Sequence, residues 1–173
     1  LAAILASVSA PTLAAGPLSW DYMSLEWVAS GEAEVNSSYD LEGYRFASAK
    51  SLSDNIFVQA QSNEYSVDVD RNYAAGNAQM GIGGHYAIAS GPTSFDMWGS
   101  ANYLRVTADG LVGTGPSFDI GLRTSFSNNF EIGITGKVSG SIDFNGTDTE
   151  ADYTGYTIDA AYFITPDIAL KAS

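Results

Sequence analysis

The chain has 173 residues, no cysteine, 18 glycines and a formal net charge of −13, which bounds it to one domain without a disulfide framework. With 7 Lys and Arg against 20 Asp and Glu it would repel nucleic acid, so nucleic acid is excluded as a partner. No stretch reaches the roughly 18 continuous apolar residues of a membrane-spanning helix, although the chain is rich in aromatics.

Residues 1–15, LAAILASVSAPTLAA, form an apolar run ending in small residues. This is the pattern of a secretory signal peptide lacking its initiator Met and basic start; a short buried helix is the alternative. The expected division is therefore a signal remnant over 1–15 and one domain over 16–173, with export as the consequence.

From there the pattern is period two. Nine candidate strands lie near 20–30, 41–52, 56–65, 78–90, 94–106, 117–126, 130–142, 153–165 and 168–173. The clearest sets Phe118, Ile120, Leu122, Thr124 and Phe126 against Asp119, Gly121, Arg123 and Ser125. Successive side chains of a strand point to opposite faces, so each segment has an oily face and a polar one.

Connections alternate in kind. Ser53-Asp54-Asn55, Gly91-Pro92-Thr93, Ser127-Asn128-Asn129 and Pro166-Asp167 read as tight turns. Residues 31–40, 66–77, 107–116 and 143–152 read as longer acidic, glycine-rich loops, with 110–115 a flexible tip that lacks a phosphate-loop lysine. Short turns on one side and long loops on the other, without helices to cover a sheet, predict an all-β, antiparallel, up-and-down transmembrane barrel with its oily face outward.

The oily sets are Met80, Ile82, Gly84, Tyr86, Ile88; Phe95, Met97, Gly99, Ala101, Tyr103; Phe130, Ile132, Ile134, Gly136, Val138; and Tyr156, Ile158, Ala160, Tyr162, Ile164. Their complements carry Gln59, Gln61, Asn63, Gln79, His85, Lys137 and other groups that must face a polar lumen, since a midplane Lys or Arg in hydrocarbon costs about 2 to 4 kcal/mol. Arg45, Asp96, Asp119, Arg123, Glu131, Lys137 and Asp159, with Lys171 as a further candidate, are expected to pair across that lumen. A water-filled pore selecting solutes is the competing reading. Aromatics are expected as two girdles: Trp20, Tyr22, Tyr86, Phe95, Phe126, Phe130 and Tyr162 at the tight-turn side, and Trp27, Tyr44, Tyr65, Tyr103 and Tyr153 at the loop side.

Segments such as FDIGLRTSFSNNFEIGITGKVSG, a strand, a tight Asn turn and a strand, resemble the small outer-membrane β-barrels of Gram-negative bacteria, the broad OmpA/OmpX-like group. The resemblance covers 16–173 and is one of pattern. It implies residence in the bacterial outer membrane, contact with its lipid and lipopolysaccharide, insertion by a barrel-assembly machinery, and a monomer. That group has even strand numbers and many members end on an aromatic, whereas nine strands and an ending of Lys171-Ala172-Ser173 depart from both. The expectation is a C-terminally truncated piece of a ten-stranded barrel, with eight strands as the alternative.

His85 is the single histidine and has no nucleophile motif beside it, so a hydrogen-bonded lumen residue is preferred to a catalytic one. Acidic groups at Asp68 and Asp70, and at Asp143, Asn145, Asp148, Glu150 and Asp152, could supply oxygens to a divalent ion. Neither loop has EF-hand spacing, so solvated loops are preferred and no metal or cofactor is expected. The resulting expectation is an outer-membrane barrel that is not an enzyme and has a structural or surface-interaction role. A narrow porin-like channel or transporter is the alternative and a lipid-modifying enzyme the third reading.

Overall fold

The structure, a computed structural model, describes residues 2–9, 12–14, 18–34, 38–67, 73–90, 93–108, 110–126, 129–145, 150–152, 154–165 and 168–172. In chain order the strands are β1 (Ala2–Ser9), β2 (Thr12–Ala14), β3 (Tyr22–Glu34), β4 (Ser38–Ser53), β5 (Ile56–Val67), β6 (Tyr73–Ser90) and β7 (Thr93–Ala108). They continue as β8 (Leu111–Phe126), β9 (Phe130–Ser139), β10 (Ile142–Phe144), β11 (Glu150–Ala151), β12 (Thr154–Thr165) and β13 (Ile168–Ala172). No helix occurs among the described residues.

All pairings are antiparallel, and the order runs β3-β4-β5-β6-β7-β8-β9-β12-β13. The sheet curls until β1 and β2 lie between β13 and β3, so that it is nearly closed into a barrel. This seam is thin on its β13 side, where the paired positions are Val8↔Ala172, Thr12↔Ala169 and Leu13↔Ile168. The place expected for a tenth strand is thus taken by residues 2–9 and 12–14, the segment that reads as an export signal. Pairing and proteolytic processing are separate properties, and a mass measurement reads the second.

Strand faces follow the alternation. Tyr156 is 81% and Ile120 72% exposed on the outside, and the four oily sets named above all point outward with them. Inside lie Ser24, Glu26, Asn63, Gln79, Asp96, Ser100, Asn102, Ser117 and Asp119, all buried. The barrel is inside-out: apolar side chains face the surroundings and polar ones the interior.

Much of the loops expected at 31–40, 66–77 and 107–116 is strand instead, and of 143–152 the structure places 143–144 and 150–151 in short strands. β6 has 18 residues and β7 and β8 have 16 each. Ladder hydrogen bonds need no apolar face, so pairing continues where both faces have become polar and the alternation that reveals a strand has faded. At about 3.3 Å per residue and a tilt near 40°, β6 rises roughly 45 Å, well past an apolar band of about 25 Å.

The segment 110–115 is the sharpest correction. β7 and β8 stay in register to Ala108↔Leu111, so Gly110, with φ +80°, belongs to a two-residue hairpin turn rather than a flexible loop. Gly113 and Gly115 sit within β8 under β10: a Cβ on Gly115 would run into the Ser141 carbonyl, and one on Gly113 would meet Phe144. Between Ser117↔Ser139 and Thr114↔Asp143 the β9–β10 side uses one residue more than β8. This bulge shifts the alternation phase, so Ile142 is buried at 3% where a continued β9 would have turned it outward.

Candidate functional site: the polar lumen and its plugged end

The expected lumen charges do meet. Arg45 Nη1 lies 3.5 Å from Glu26 Oε2, and Lys171 Nζ bridges Glu26 at 3.4 Å and Asp159 at 3.2 Å. Across the barrel, Lys137 Nζ donates to Gln79 Oε1 at 2.7 Å and stands 3.9 Å from Asp119. Gln79 Nε2 donates to Asp119 Oδ2 at 3.0 Å, and Gln59 Nε2 reaches Ser100 Oγ and Asn102 Oδ1, each at 2.9 Å. Arg123 Nε donates to Glu131 Oε1 at 2.8 Å, with a second bond from Nη2 to Oε2 at 3.1 Å. A two-point guanidinium–carboxylate contact of this kind fixes geometry as well as charge. Glu26, Asp96, Asp119, Glu131 and Asp159 thereby face Arg45, Arg123, Lys137 and Lys171, so the described lumen is close to neutral and most of the net charge of −13 lies elsewhere.

At the tight-turn end the interior is closed by a strap, residues 18–21. Trp20 is 3% exposed and lies inside the barrel, not on the outer girdle expected for it. Its ring stacks on Phe57 at 3.6 Å between centroids, meets Trp98 edge-on at 5.2 Å, and has the Arg123 guanidinium carbon 4.9 Å from its centre. Trp20 Nε1–H donates to Asp96 Oδ2 at 2.8 Å, and the other Asp96 oxygen lies 3.0 Å from His85 Nδ1.

The strap's backbone is held as firmly as its side chain. Leu18 N–H donates to Glu131 Oε2 at 2.8 Å, and Arg123 Nη1 and Nη2 both donate to the Ser19 carbonyl at 3.3 Å. Leu18 has φ +60°, a left-handed conformation that costs a β-carbon residue about 1 to 2 kcal/mol and persists where the surroundings over-determine it. Outside the barrel rim, Asp21 accepts from the Ser51 N–H at 2.7 Å and from Lys50 Nζ at 3.0 Å. The Ser51 N–H first and Lys50 second hold its carboxyl below the ordinary carboxylate value.

Sequence reasoning missed Glu26, Trp20 and Phe57 as lumen groups, though the phase contained them. Trp20, Tyr22, Ser24 and Glu26 share one parity against Met23, Leu25 and Trp27, and Phe57 shares that of Gln59, Gln61 and Asn63. Tyr22 is likewise not on the outer girdle, while Tyr86, Phe95, Phe126, Phe130, Tyr162, Trp27, Tyr44 and Tyr103 are exposed. The side chain of Tyr65 is half-buried, and Tyr153 lies outside the described residues.

Only part of the acidic group falls within the described residues. Asp143 and Glu150 are paired positions on β10 and β11, and Asp143, Asn145 and Asp152 are exposed. Asp148, Asp68 and Asp70 lie outside the described residues. Among the described residues no group of three or more His, Cys, Asp or Glu is placed to hold a metal ion.

No protein-family model, curated protein or solved structure matches this chain.

Proposed function

We propose that this chain is an exported outer-membrane β-barrel of a Gram-negative bacterium, with a closed lumen and a structural or surface-interaction role. One observation carries the reading: the outward wall is apolar on strand after strand while carboxylates, amides and guanidinium groups fill the inside. In water that wall would be a large aggregating patch; in hydrocarbon it is the required surface, and the nearly closed ladder leaves few backbone groups unpaired outside its seam. The tight turns then face the periplasm, and the longer strand ends project outward with the acidic loops among lipopolysaccharide. Divalent ions bridging Asp143 or Asp152 to anionic sugars fit that placement. The barrel-assembly machinery is the implied partner during insertion.

A closed lumen is favoured over a channel because Trp20, Phe57, Trp98 and the Arg123–Glu131 pair fill the tight-turn mouth. A structural role for His85 is favoured because its Nδ1 is engaged by Asp96 and its ring packs beside Trp20 and Phe57. The test is reconstitution. The protein should require detergent, migrate faster on gels unheated than boiled, and give negligible current across planar bilayers. Solubility without detergent would overturn the membrane reading, and steady single-channel currents would transfer it to the porin-like class.

A further inference from the structure

Arg105 stands apart from the other described Lys and Arg. Arg45, Arg123, Lys137 and Lys171 pair inside the lumen and Lys50 pairs with Asp21 at the rim. Arg105 has neither an ion pair nor a hydrogen bond among the described residues, and it is exposed on the outer wall in phase with Tyr103, while Leu104 between them is buried. An outward Arg is strongly disfavoured at a bilayer midplane and tolerated at the interface. Its position near the loop end of β7, past Tyr103, is the interface of the outward leaflet, which on the membrane reading is built of lipopolysaccharide.

Arg105 lines one side of an outward groove of about 540 Å³, and the register lays that groove out as two rows. In the row nearer the loops, Trp27 pairs with Tyr44, Tyr44 with Glu64, Glu64 with Gly76 and Gly76 with Thr107. In the row nearer the tight turns, Phe46 pairs with Ser62, Ser62 with Ala78 and Ala78 with Arg105. Ser62, Gly76 and Ala78 carry little or no side chain, so the floor lies low between an aromatic wall on one side and Arg105 on the other. Trp27 and Tyr44 sit edge to face at 4.5 Å between ring centres, both about half exposed. Glu64 is exposed in the aromatic row, where it stands opposite Thr107 and not Arg105. Two strand spacings across and two residues along set the Glu64 and Arg105 backbones roughly 12 Å apart, so the carboxylate does not take up the guanidinium and the groove has two separate polar ends.

We propose that this groove binds the headgroup of lipopolysaccharide, a phosphorylated amino-sugar disaccharide, with one phosphate on Arg105 and a sugar ring against Trp27 and Tyr44 whose hydroxyl and amide groups donate to Glu64. Charge and spacing select that occupant. A guanidinium donates in two-point fashion to phosphate oxygens. Exposed aromatic rings offer flat apolar surface to the C–H face of a pyranose, and a carboxylate beside them accepts from hydroxyl or amide donors. A phosphorylated disaccharide spans the two ends of the groove at once, which a lone phosphate does not. Glu64 repels a second phosphate at the aromatic end and so orients the disaccharide along the groove.

The proposal rests on the membrane reading, and its test separates the two. The full chain is purified in detergent, mixed with lipid A, with lipid A stripped of its phosphates, or with phosphatidylglycerol, and examined by native mass spectrometry. Wild type should retain phosphorylated lipid A about tenfold more than either of the others, since one lacks the phosphate and the other the sugar. Arg105→Gln should lower phosphorylated lipid A about tenfold, to the level of the stripped form, and leave the stripped form unchanged. Trp27→Leu with Tyr44→Leu, which keeps the wall apolar but removes the ring faces, should bring lipid A down to the level of phosphatidylglycerol. Unheated gel migration checks that each variant is folded. Lipid A retained equally by wild type and Arg105→Gln, or no better than phosphatidylglycerol by wild type, would overturn the site and leave the barrel intact. A protein that stays monomeric without detergent would instead overturn the membrane reading.

Discussion

Replacing Trp20 with alanine tests whether the strap is the plug. The ring is buried at 3%, stacks on Phe57 at 3.6 Å and donates a 2.8 Å hydrogen bond to Asp96, which is itself 0% exposed. Removing a buried Trp costs about 3 to 5 kcal/mol. Within that, the aromatic stack accounts for about 0.5 to 1.5 and the bond to a charged acceptor for about 1.5 to 3. Trp20→Phe keeps the stack and most of the burial, so it should cost about 1.5 to 3 kcal/mol, the share of the lost hydrogen bond. Urea unfolding of the refolded barrel, followed by the fraction of fast-migrating band, reads the energies; planar-bilayer recording reads the opening. The alanine variant should lose stability and pass current, while the phenylalanine variant should be weakened but silent. An alanine variant within about 1 kcal/mol of wild type and equally silent would refute the plug.

Arg123→Gln leaves Glu131 without its two-point partner and should destabilise by about 3 to 5 kcal/mol in the same urea assay; Arg123→Gln with Glu131→Gln should recover most of it, and a double variant as weak as the single one would contradict the pairing. The Asp21 carboxyl, held down by the Ser51 N–H and Lys50, should titrate below 3.8 by carbon NMR in micelles. A depressed folded value means that its contribution is present above the unfolded value and lost as pH falls through the folded one; a midpoint at or above 3.8 would show that the rim contact does not form. If residues 1–15 are an export signal, the intact mass of envelope-purified protein should correspond to a start near Ala15 or Gly16, leaving β3 and β13 as the edges of the seam. A mature mass that retains that segment would instead make β1 and β2 permanent strands.

What was legible in the sequence was the face on which most strand side chains lie. Period-two alternation at Phe118 to Phe126 and at Phe130 to Val138 fixes which groups lie on one face and which on the other, because a strand allows two directions and the apolar and polar sets separate between them. The tight turns were legible for the same local reason: Asn, Asp, Gly and Pro carry their backbone preferences with them. Strand ends beyond the apolar band were not legible, since pairing there is held by backbone hydrogen bonds that leave no period in composition. The two-residue turn at Gly110 and the phase shift before Ile142 belong to that kind. Partners across the lumen were also beyond reach. That Arg45, Asp119, Arg123 and Lys137 would point inward follows from parity, but that Arg123 clamps Glu131 and the Ser19 carbonyl, or that Trp20 caps Asp96, depends on which strands curl to face one another. Sequence alone sorted most strand residues into two faces; only the curling of the sheet decided who meets whom, because contacts across a barrel join residues as far apart as Trp20 and Asp96, which no local pattern couples.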